Sequence, residues 1–434
     1  MSGICGYVGE AAPDALERML GAIAYRGDRT DTASLPGVGL GYRWWSGRPN
    51  KSPGIHRGPA GTLVACAGTL APAVSSPAAA IDDRLAQRAL DDLDGAFGAA
   101  RWDGQTRTLT LMRDPFGVRS LYWAEHEQTL YFATELKQLL ALGHLPLAVD
   151  PAVVHKYLTF SFVPGEPTPL QGIRRLPPGH LLTFASGRVA IAPYFELREE
   201  IVPIEQADAS RRTWQLGRAA VQRRLVGEER VGLYLSGGID SSAVGVWLED
   251  LGAKVQAFTL DFGADSVERE EAIGAARHLG LPLERVPADG NAIASIFEDL
   301  VHKLDLPFGD PVTGPHFLLG RAARAAGLIA VFNGEGGDQL FGGWTSKPMV
   351  AAAVYGSEYG EETPEQQYLR SYHRFYGLED ELYSPDFAAS VGGPGQRRAL
   401  IAKYLGGDAA RTLLNRVRLT DIALKGSQNI LPRA

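Results

Sequence analysis

The sequence predicts an α/β protein with two parts, a first part of paired strands and a second part built as a doubly wound parallel sheet. In the first part, apolar runs with strand character follow one another across turn residues, which is typical of hairpins. From about residue 230 onward, strand-like runs alternate with segments of helical spacing, which is typical of βαβ units. The length of 434 residues fits two or three domains.

Composition and charge narrow the classes of protein. Apolar residues make up 45% of the chain and charged residues 21%, which is ordinary for a soluble globular protein. The net charge of −7 argues against general affinity for nucleic acid. No apolar stretch is long enough to cross a membrane, and the N-terminus lacks the pattern of a signal peptide. We therefore expect a cytoplasmic protein with neither nucleic acid nor a membrane as partner, and a homodimer stays open.

The first part begins with a stretch, 2–9, that alternates like a strand ending at a turn. We interpret Cys5 within it as a small buried strand residue. Together with Cys66 it cannot form a disulfide framework, and no ligand pattern for structural zinc occurs. Further strands are predicted over 94–103, 109–123 and 130–134, the last of which runs into a short helix.

Two connecting stretches are predicted. Residues 71–80 have the composition of a plain loop. Residues 199–209 are polar, contain a proline and fit a linker that leads into a helix over 210–225. This linker divides the chain into predicted domains at 1–200 and 210–434.

The most informative stretch of the second part is the heptapeptide 236–242, SGGIDSS. It follows a strand-like run over 230–235 and precedes an apolar run over 243–248 that fits the buried face of a helix. Glycines in a strand-to-helix turn let backbone N–H groups point inward, and the helix N-terminus adds partial positive charge, so this layout predicts an anion site. A carboxylate at Asp240 fits beside phosphate if Mg²⁺ lies between them. The candidate binding residues are Leu235, Ser236, Gly237, Gly238, Asp240, Ser241 and Ser242.

The segments that follow continue the alternation of strand and helix. The spacing predicts a strand over 255–260, helices over 268–279, 293–304 and 318–326, and a strand over 328–332. Ligands of doubly wound sheets bind at the C-terminal ends of the strands. The heptapeptide 236–242 and the acidic stretch 333–344, NGEGGDQLFGGW, both stand at such ends.

These two stretches resemble motifs of one family. SGGIDSS is similar to the pyrophosphate loop of the ATP-pyrophosphatases, and NGEGGDQLFGGW is similar to the S-G-E-G-x-D-E-L-F-G-G-Y signature of asparagine synthetases. The departures at Asn333 and Gln339 are mild. Val267 followed by Glu268 stands where the family usually has Asp-Glu. The second part thus resembles the synthetase domain of the asparagine synthetase family, a doubly wound ATP-pyrophosphatase domain.

The resemblance implies roles for particular residues. The start of the second motif, at Gly334, is expected near the sugar and base of ATP. Asp240 and Asp338 are expected to hold Mg²⁺ on the pyrophosphate that leaves. Glu335 is expected at the reacting carbonyl, where it positions or deprotonates the attacking amine. ATP and Mg²⁺ are therefore the cofactors that the resemblance implies.

The strands over 94–103 and 109–123 and the strand-to-helix stretch 130–140 closely resemble the asparagine synthetase N-terminal domain, with its R-D-x-F-G-x-x-P-L-Y followed by A-S-E-x-K-A-L. The first part thus resembles the glutamine amidotransferase domain of the same family, an αββα sandwich of the N-terminal-nucleophile type. In the family a cysteine follows the initiator Met, and its own α-amine acts as base, whereas this chain has Ser2. The family's H-R-G-P-D reads YRGDR at 25–29, and its glutamine-holding N-G-E reads AGT at 67–69. We therefore expect an inactive glutaminase. The alternative is that Ser2 acts as an N-terminal nucleophile in its own right.

Other conspicuous polar residues are given structural interpretations. Arg113 and Asp114 are interpreted as structural ion pairing at a domain interface. The segment 305–311 resembles the family's D-x-P-x-x-D-P, which borders the substrate pocket, and His316 on the next predicted helix is interpreted as a packing residue.

The family continues beyond the point where this chain stops, with a lysine that contacts ATP phosphates, and Lys425 comes too early to be that lysine. We therefore expect a chain that is truncated at its C-terminus.

The sequence predicts an ATP-dependent amide-forming ligase that adenylates a carboxylate and releases AMP and pyrophosphate. The simplest substrates are aspartate and free ammonia. The alternative is an intramolecular amide synthetase, such as a β-lactam synthetase or a lasso-peptide macrolactam cyclase, in which a small-molecule or peptide carboxylate meets an internal amine. A non-catalytic nucleotide-binding scaffold is a third possibility, against which Asp240, Glu335 and Asp338 argue. A serine hydrolase based on Ser236 is disfavoured because no G-x-S-x-G surrounds it.

Overall fold

The computed structural model describes residues 2–47, 54–225, 230–263, 266, 268–343, 363–373, 375–391, 395–406 and 410–433. The chain divides into two compact units. The first comprises the described residues of Met1–Glu199, Asp305–Pro307 and Trp344–Pro432, and the second comprises those of Glu200–Leu304, Phe308–Gly343 and Arg433–Ala434. The predicted domains at 1–200 and 210–434 stay predictions. Across the described residues, no helix combines the length and the apolar character that crossing a membrane requires.

The first unit contains two six-stranded antiparallel sheets. In order of hydrogen-bonded neighbours, the first sheet consists of β10 (Ile173–Arg175), β8 (Tyr122–His126), β9 (Thr129–Ala133), β1 (Gly3–Val8), β3 (Val38–Trp44) and β2 (Arg29–Leu35). The second sheet consists of β12 (Arg188–Pro193), β11 (His180–Ala185), β7 (Thr108–Arg113), β6 (Asp94–Asp103), β5 (Leu63–Ala71) and β4 (His56–Arg57). The helices within the same part of the chain are α1 (Ala15–Gly21), α2 (Pro77–Gln87), α3 (Leu136–Leu140) and α4 (Pro151–Phe160).

The alternation of side chains along each strand explains how these sheets stack. In β1, Ile4 joins an apolar core that both sheets share, whereas Cys5 lies on the opposite face and packs with α1 and α3. In β6, Trp102 belongs to the shared core, whereas Phe97 packs on the side of α2. The layers therefore run helix, sheet, sheet, helix. The predicted αββα sandwich and the buried strand position of Cys5 are confirmed.

The prediction of a plain loop over 71–80 is wrong at its end, because α2 begins at Pro77. Ser76 caps this helix: its Oγ accepts a hydrogen bond from the Ala79 N–H at 3.3 Å. Proline is favoured at the first helical position because its missing N–H would have no partner there. The Ser-Pro pair is thus the signal of a helix start, and Ile81 in the next turn packs against the second sheet.

Arg113 and Asp114 are structural, as predicted, but backbone groups and not ion pairing hold them. Both side chains are fully buried. The Arg113 guanidinium donates at 2.7–2.8 Å to the carbonyl oxygens of Arg119, Leu176 and Gly117. The Asp114 carboxylate accepts at 2.8–3.2 Å from the N–H groups of Phe116, Val118 and Arg119. The two side chains therefore fix the turn that follows β7, inside the first unit.

The second unit contains a four-stranded parallel sheet. In order of neighbours it consists of β15 (Leu283–Pro287), β14 (Lys254–Asp261), β13 (Arg230–Tyr234) and β16 (Val331–Phe332). The helices of this part are α5 (Gln206–Arg224), α6 (Ile239–Asp250), α7 (Arg269–His278), α8 (Gly290–Lys303), α9 (Thr313–Ala325) and α10 (Gly337–Phe341). The sequence analysis predicts no strand at β15, and the strand predicted over 328–332 is shorter in the structure.

Helices cover both faces of this sheet. On one face, Leu233 and Ala257 pack with Leu248 of α6. On the other face, the adjacent strand residue Phe258 packs with Leu319 of α9. The predicted doubly wound sheet is therefore confirmed.

The order of the strands marks where this sheet can bind a ligand. From β13 the chain passes to β14 and β15 on one side, and β16 then returns to the other side of β13. The direction of winding thus reverses between β13 and β16, and doubly wound sheets bind ligands outside the strand ends at such a switch point. The turns that follow β13 and β16 carry the heptapeptide 236–242 and the stretch that begins at Asn333.

The remaining helices lie in the last part of the chain. They are α11 (Pro364–Tyr372), α12 (Glu379–Leu382), α13 (Pro385–Ser390), α14 (Gly395–Leu405), α15 (Leu413–Asp421), a π-helix (Ile422–Ile430) and α16 (Leu431–Arg433). In the first unit, Phe160 of α4 and the following Phe162 share an apolar core with Leu369, Ile401 and Val417 of these helices.

Candidate active site

The turn after β13 has the shape of an anion site. Leu235 is buried at its start and donates its N–H to the Phe258 carbonyl at 2.9 Å, so its side chain belongs to the core. Gly237 has a φ of +84°, and α6 begins directly after Gly238. Because Gly238 has no side chain to cap the helix, the first N–H groups of α6 are directed beyond its N-terminus.

Serine side chains hold the backbone of this turn. Ser241 is buried, and its Oγ donates to the Gly238 carbonyl and accepts from the Ser236 N–H, each at 3.2 Å. Ser236 Oγ accepts from the Gly238 N–H at 3.2 Å and lies 3.1 Å from Ser241 Oγ. Ser242 lies in the first turn of α6, where its N–H donates to the Gly238 carbonyl at 3.0 Å. The contacts of these residues with an anion stay predictions.

The turn after β16 packs directly on the start of α6. A Cβ atom at Gly334 would lie 2.7 Å from the Ser241 nitrogen, and one at Gly337 would lie 2.4 Å from the carboxylate carbon of Asp240. Neither position has room for a side chain. The structure therefore brings the two predicted motifs together.

The amide of Asn333, which departs from the family signature, shapes the same turn. Its Oδ1 accepts a hydrogen bond from the Glu335 N–H at 3.1 Å. A serine hydroxyl can also accept from a nearby N–H, so this exchange preserves a hydrogen-bond acceptor. Trp344 at the end of the motif, and Val267 in the segment before α7, lie outside the described residues.

Asp240 and Asp338 lie close enough to repel each other. Burial raises the pKa of Asp240 above its ordinary value, and the negative charge of Asp338 raises it further. Within the described ranges, no group of three or more His, Cys, Asp or Glu side chains could hold a metal ion. One or two carboxylates that act together with substrate phosphates are, however, the usual protein ligands of Mg²⁺. The pair therefore fits Mg²⁺ on a phosphate, and the ion itself stays a prediction.

Glu335 stands beside a residue that the sequence analysis places outside the site. Nε2 of His316, on α9, lies 3.5 Å from Oε1 of Glu335. The imidazole also contacts the Tyr234 ring, with 6.1 Å between the ring centroids. His316 is thus part of the candidate site, and the interpretation as a packing residue alone is incomplete. Its position just after a segment that resembles a pocket border is the sequence signal that could identify it.

The nucleophile positions of the amidotransferase part lie at the start of β1. Ser2 Oγ accepts a hydrogen bond from the Gly68 N–H at 3.1 Å, so the AGT stretch does reach the predicted N-terminal residue. Cys5 is fully buried, and burial raises the pKa of its thiol far above the ordinary value. A thiol kept protonated in this way is a poor nucleophile.

The arginine of YRGDR is engaged inside the protein. Arg26 pairs with Glu135, whose carboxylate also accepts from the Tyr25 hydroxyl and pairs with Lys137 at 2.6 Å. Lys137 in turn pairs with Asp305 at 2.8 Å. Arg26 is thus engaged by a carboxylate of the protein itself. The inactive glutaminase stays a prediction.

Fold and site together define the class of protein. The first unit contains an αββα sandwich, and the second contains a doubly wound sheet with an anion-type turn and two neighbouring carboxylates at its switch point. Comparison with known sequences shows which domains the two parts match. Residues 215–404 match the sequence model of asparagine synthase, and residues 80–195 match that of a glutamine amidotransferase domain. The chain carries an asparagine synthase-family domain preceded by a glutamine amidotransferase-family domain.

Individual relatives bear different names. Amidase chyE of Penicillium rubens is 32% identical over 276 residues, which cover 59% of this chain and 40% of that protein. Amidase chry2 of Gibberella zeae is 31% identical over 280 residues, with the same coverage of 59% and 40%. Asparagine synthetase (glutamine-hydrolyzing) 1 of Bacillus subtilis is 27% identical over 263 residues, which cover 59% of this chain and 41% of that protein. The chain thus spans about two fifths of the length of these curated relatives.

We expect Gly237→Ala to destabilise the protein by about 2–5 kcal/mol. The left-handed backbone costs a residue with a Cβ about 1–2 kcal/mol. The new methyl group would also lie 2.3 Å from the Glu271 carbonyl carbon, and such overpacking costs roughly 1–3 kcal/mol more. Urea denaturation measures the loss. Gly252→Ala is the matched control, because Gly252 has a φ of +72° but no atom within 4 Å of its Cβ position. Equal losses in the two variants would contradict the packing of this turn against α7.

Proposed function

We propose that this chain is an ATP-dependent amide-forming ligase that adenylates a carboxylate substrate and then transfers the acyl group to an amine. The observation that carries the proposal is the meeting of the two motifs at the switch point. There, a Cβ at Gly337 would touch the carboxylate of Asp240, and Asp338 is close enough to raise the pKa of Asp240. A phosphate-binding turn alone would fit many nucleotide-binding proteins. A phosphate-binding turn that shares its space with two carboxylates fits cleavage of a nucleotide at its pyrophosphate.

The first step of the proposed reaction uses the turn after β13. An oxygen of the substrate carboxylate attacks the α-phosphorus of ATP. The bond that breaks joins this phosphorus to the oxygen that bridges the α- and β-phosphorus atoms. The N–H groups at the start of α6 would bind the pyrophosphate that leaves, because they are directed beyond the helix end. Asp240 and Asp338 would hold Mg²⁺, which when bound neutralises charge on the phosphates. The acyl adenylate remains in the site.

The second step uses the turn after β16. The amine nitrogen attacks the acyl carbon, and the bond from that carbon to the AMP oxygen breaks. Glu335 would accept the proton that the amine loses, and AMP leaves. A carboxylate that is part-exposed at the strand ends can reach such an amine, and general bases of this kind contribute about 10²- to 10⁴-fold to a rate.

The residues at the glutaminase positions of the first unit indicate which molecule supplies the amine. Ser2 replaces the family's cysteine, and AGT at 67–69 replaces its glutamine-holding N-G-E, so we propose free ammonia as the nitrogen source. Aspartate is the simplest carboxylate, by analogy with the asparagine synthetase of Bacillus subtilis.

A second candidate is an intramolecular amide synthetase, in which one small molecule or peptide supplies both the carboxylate and the amine. The absence of the family's cysteine and of its N-G-E favours it, because such an enzyme loses nothing when glutamine cannot bind. That two relatives are named as amidases and not as asparagine synthetases also supports this candidate.

The test is product analysis with purified protein, Mg-ATP and aspartate, with ammonium chloride or glutamine as the nitrogen donor. We expect AMP, pyrophosphate and asparagine with ammonia, and no asparagine with glutamine. Equal use of glutamine would show that Ser2 supports a working glutaminase. Exchange of labelled pyrophosphate into ATP is then measured across a panel of aspartate, glutamate, β-amino acids and peptides. Exchange with a panel member but not with aspartate would favour the second candidate, and absence of exchange throughout would refute the proposed function.

A further inference from the structure

The contact between His316 and Glu335 joins two elements that the sequence separates. His316 lies in the first turn of α9, where its N–H donates to the Val312 carbonyl at 3.0 Å. Glu335 lies in the turn after β16. Their side chains are both part-exposed, 27% and 30%, so the pair lies at the edge of the site and not in the core.

Burial favours a neutral imidazole at His316. Burial lowers the pKa of His316 below its ordinary value, and the positive charge of Arg433 lowers it further, whereas Glu335 and Asp310 act in the opposite direction. Arg433 is itself paired with Asp310 and donates to the Thr313 hydroxyl. The ring of Tyr234, at the end of β13, also contacts the imidazole of His316. Near neutral pH the group that faces Glu335 is therefore an uncharged N–H donor.

A neutral donor is well suited to orient a general base. A lysine or arginine at the same place would hold the carboxylate more strongly but would also lower its pKa and weaken it as a base. An imidazole N–H fixes one carboxylate oxygen with a smaller effect on basicity, because it brings no net charge. The separation of 3.5 Å is longer than a good hydrogen bond, and contacts of catalytic groups commonly shorten when substrate binds.

We propose that His316 is a positioning residue for Glu335: its Nε2–H holds Oε1, which leaves the second carboxylate oxygen to accept the proton of the attacking amine. This inference rests on the proposed function and deepens it. It assigns His316 to the second step of the reaction, amide formation, and gives it no part in the first step, adenylation. The two steps can be measured separately, so the assignment is testable.

The experiment compares His316→Ala, His316→Gln and wild type in two assays with the full chain. Exchange of labelled pyrophosphate into ATP, with aspartate as the probe carboxylate or the panel member that supports exchange, reports adenylation. Conversion of the preformed adenylate to amide by ammonium chloride reports the second step. We expect His316→Ala to leave exchange within about twofold and to slow amide formation about 10- to 100-fold, the range found when a group that orients a functional ligand is removed. His316→Gln should recover part of this loss, because its amide N–H can donate to Glu335.

The control variant is His302→Ala, an exposed histidine of α8, which should match wild type in both assays. The double variant His316→Ala/Glu335→Gln should be no slower than Glu335→Gln alone, because a positioning residue has no effect once its partner is gone. Unchanged amide formation in His316→Ala would refute the inference, as would equal losses in both steps. Failure of the proposed function has a different signature, since wild type itself would then show no exchange, and the inference would fall with it.

Discussion

Asp240→Asn is expected to lower the rate of AMP formation by about 100- to 1000-fold. The N-terminus of α6, in the turn after β13, offers partial positive charge to the leaving pyrophosphate. This partial charge alone is too small to neutralise the negative charge of pyrophosphate. If Asp240 and Asp338 hold Mg²⁺, losing one ligand removes several kcal/mol of charge stabilisation, and each 1.4 kcal/mol is worth about tenfold in rate. Pyrophosphate exchange measures the effect. Asp338→Asn should lose a similar factor, and the double variant should lose less than the product of the two, because the carboxylates act as a unit.

The control for this prediction is Asp250→Asn, at the other end of α6. Asp250 pairs with Arg218 at the protein surface, so its replacement should leave exchange unchanged. Asp240→Asn also removes the repulsion with Asp338, so the melting temperature of the free protein should not fall. A loss of exchange accompanied by a large drop in melting temperature would indicate that Asp240 is a structural residue. Full exchange activity in both single variants would contradict the metal assignment.

Glu335→Gln is expected to slow amide formation by about 10²- to 10⁴-fold while adenylation continues, because glutamine keeps the shape of the side chain but cannot accept the proton of the amine. Its N–H still donates to Asn333, so the turn should keep its conformation. The measurement is the rate at which the isolated adenylate is converted to amide by ammonia, with pyrophosphate exchange recorded in parallel.

Glu298→Gln, on the exposed side of α8, is the matched control for a change of one negative charge in the same unit. It should leave both assays unchanged. If Glu335→Gln instead loses exchange and amide formation together, Glu335 acts in ATP binding and not as the base. Equal activity of Glu335→Gln and wild type would remove Glu335 from the mechanism.

Patterns among neighbouring residues were enough to predict the class of fold and the positions of both motifs. Period-two alternation set Ile4 and Cys5 on opposite faces of one strand, and the run of apolar residues before SGGIDSS identified a buried strand, because such patterns depend only on neighbours in the chain. Asp240, Glu335 and Asp338 were identified because their stretches resemble motifs of the asparagine synthetase family. Local signals were also missed: the Ser-Pro start of α2 is visible in the sequence, but the alanine-rich stretch around it was interpreted as a loop.

Local patterns could not show which of these residues meet. The switch point depends on β16 returning beside β13, a pairing between residues about a hundred positions apart that no local pattern encodes. That return presses Gly337 against Asp240 and brings Glu335 to His316. The charge of Arg113 suggested an ion pair, but in the structure its guanidinium donates to three carbonyl oxygens. A side chain's type limits what it can bind, but its partner is chosen by backbone groups and helices that folding brings from elsewhere in the chain.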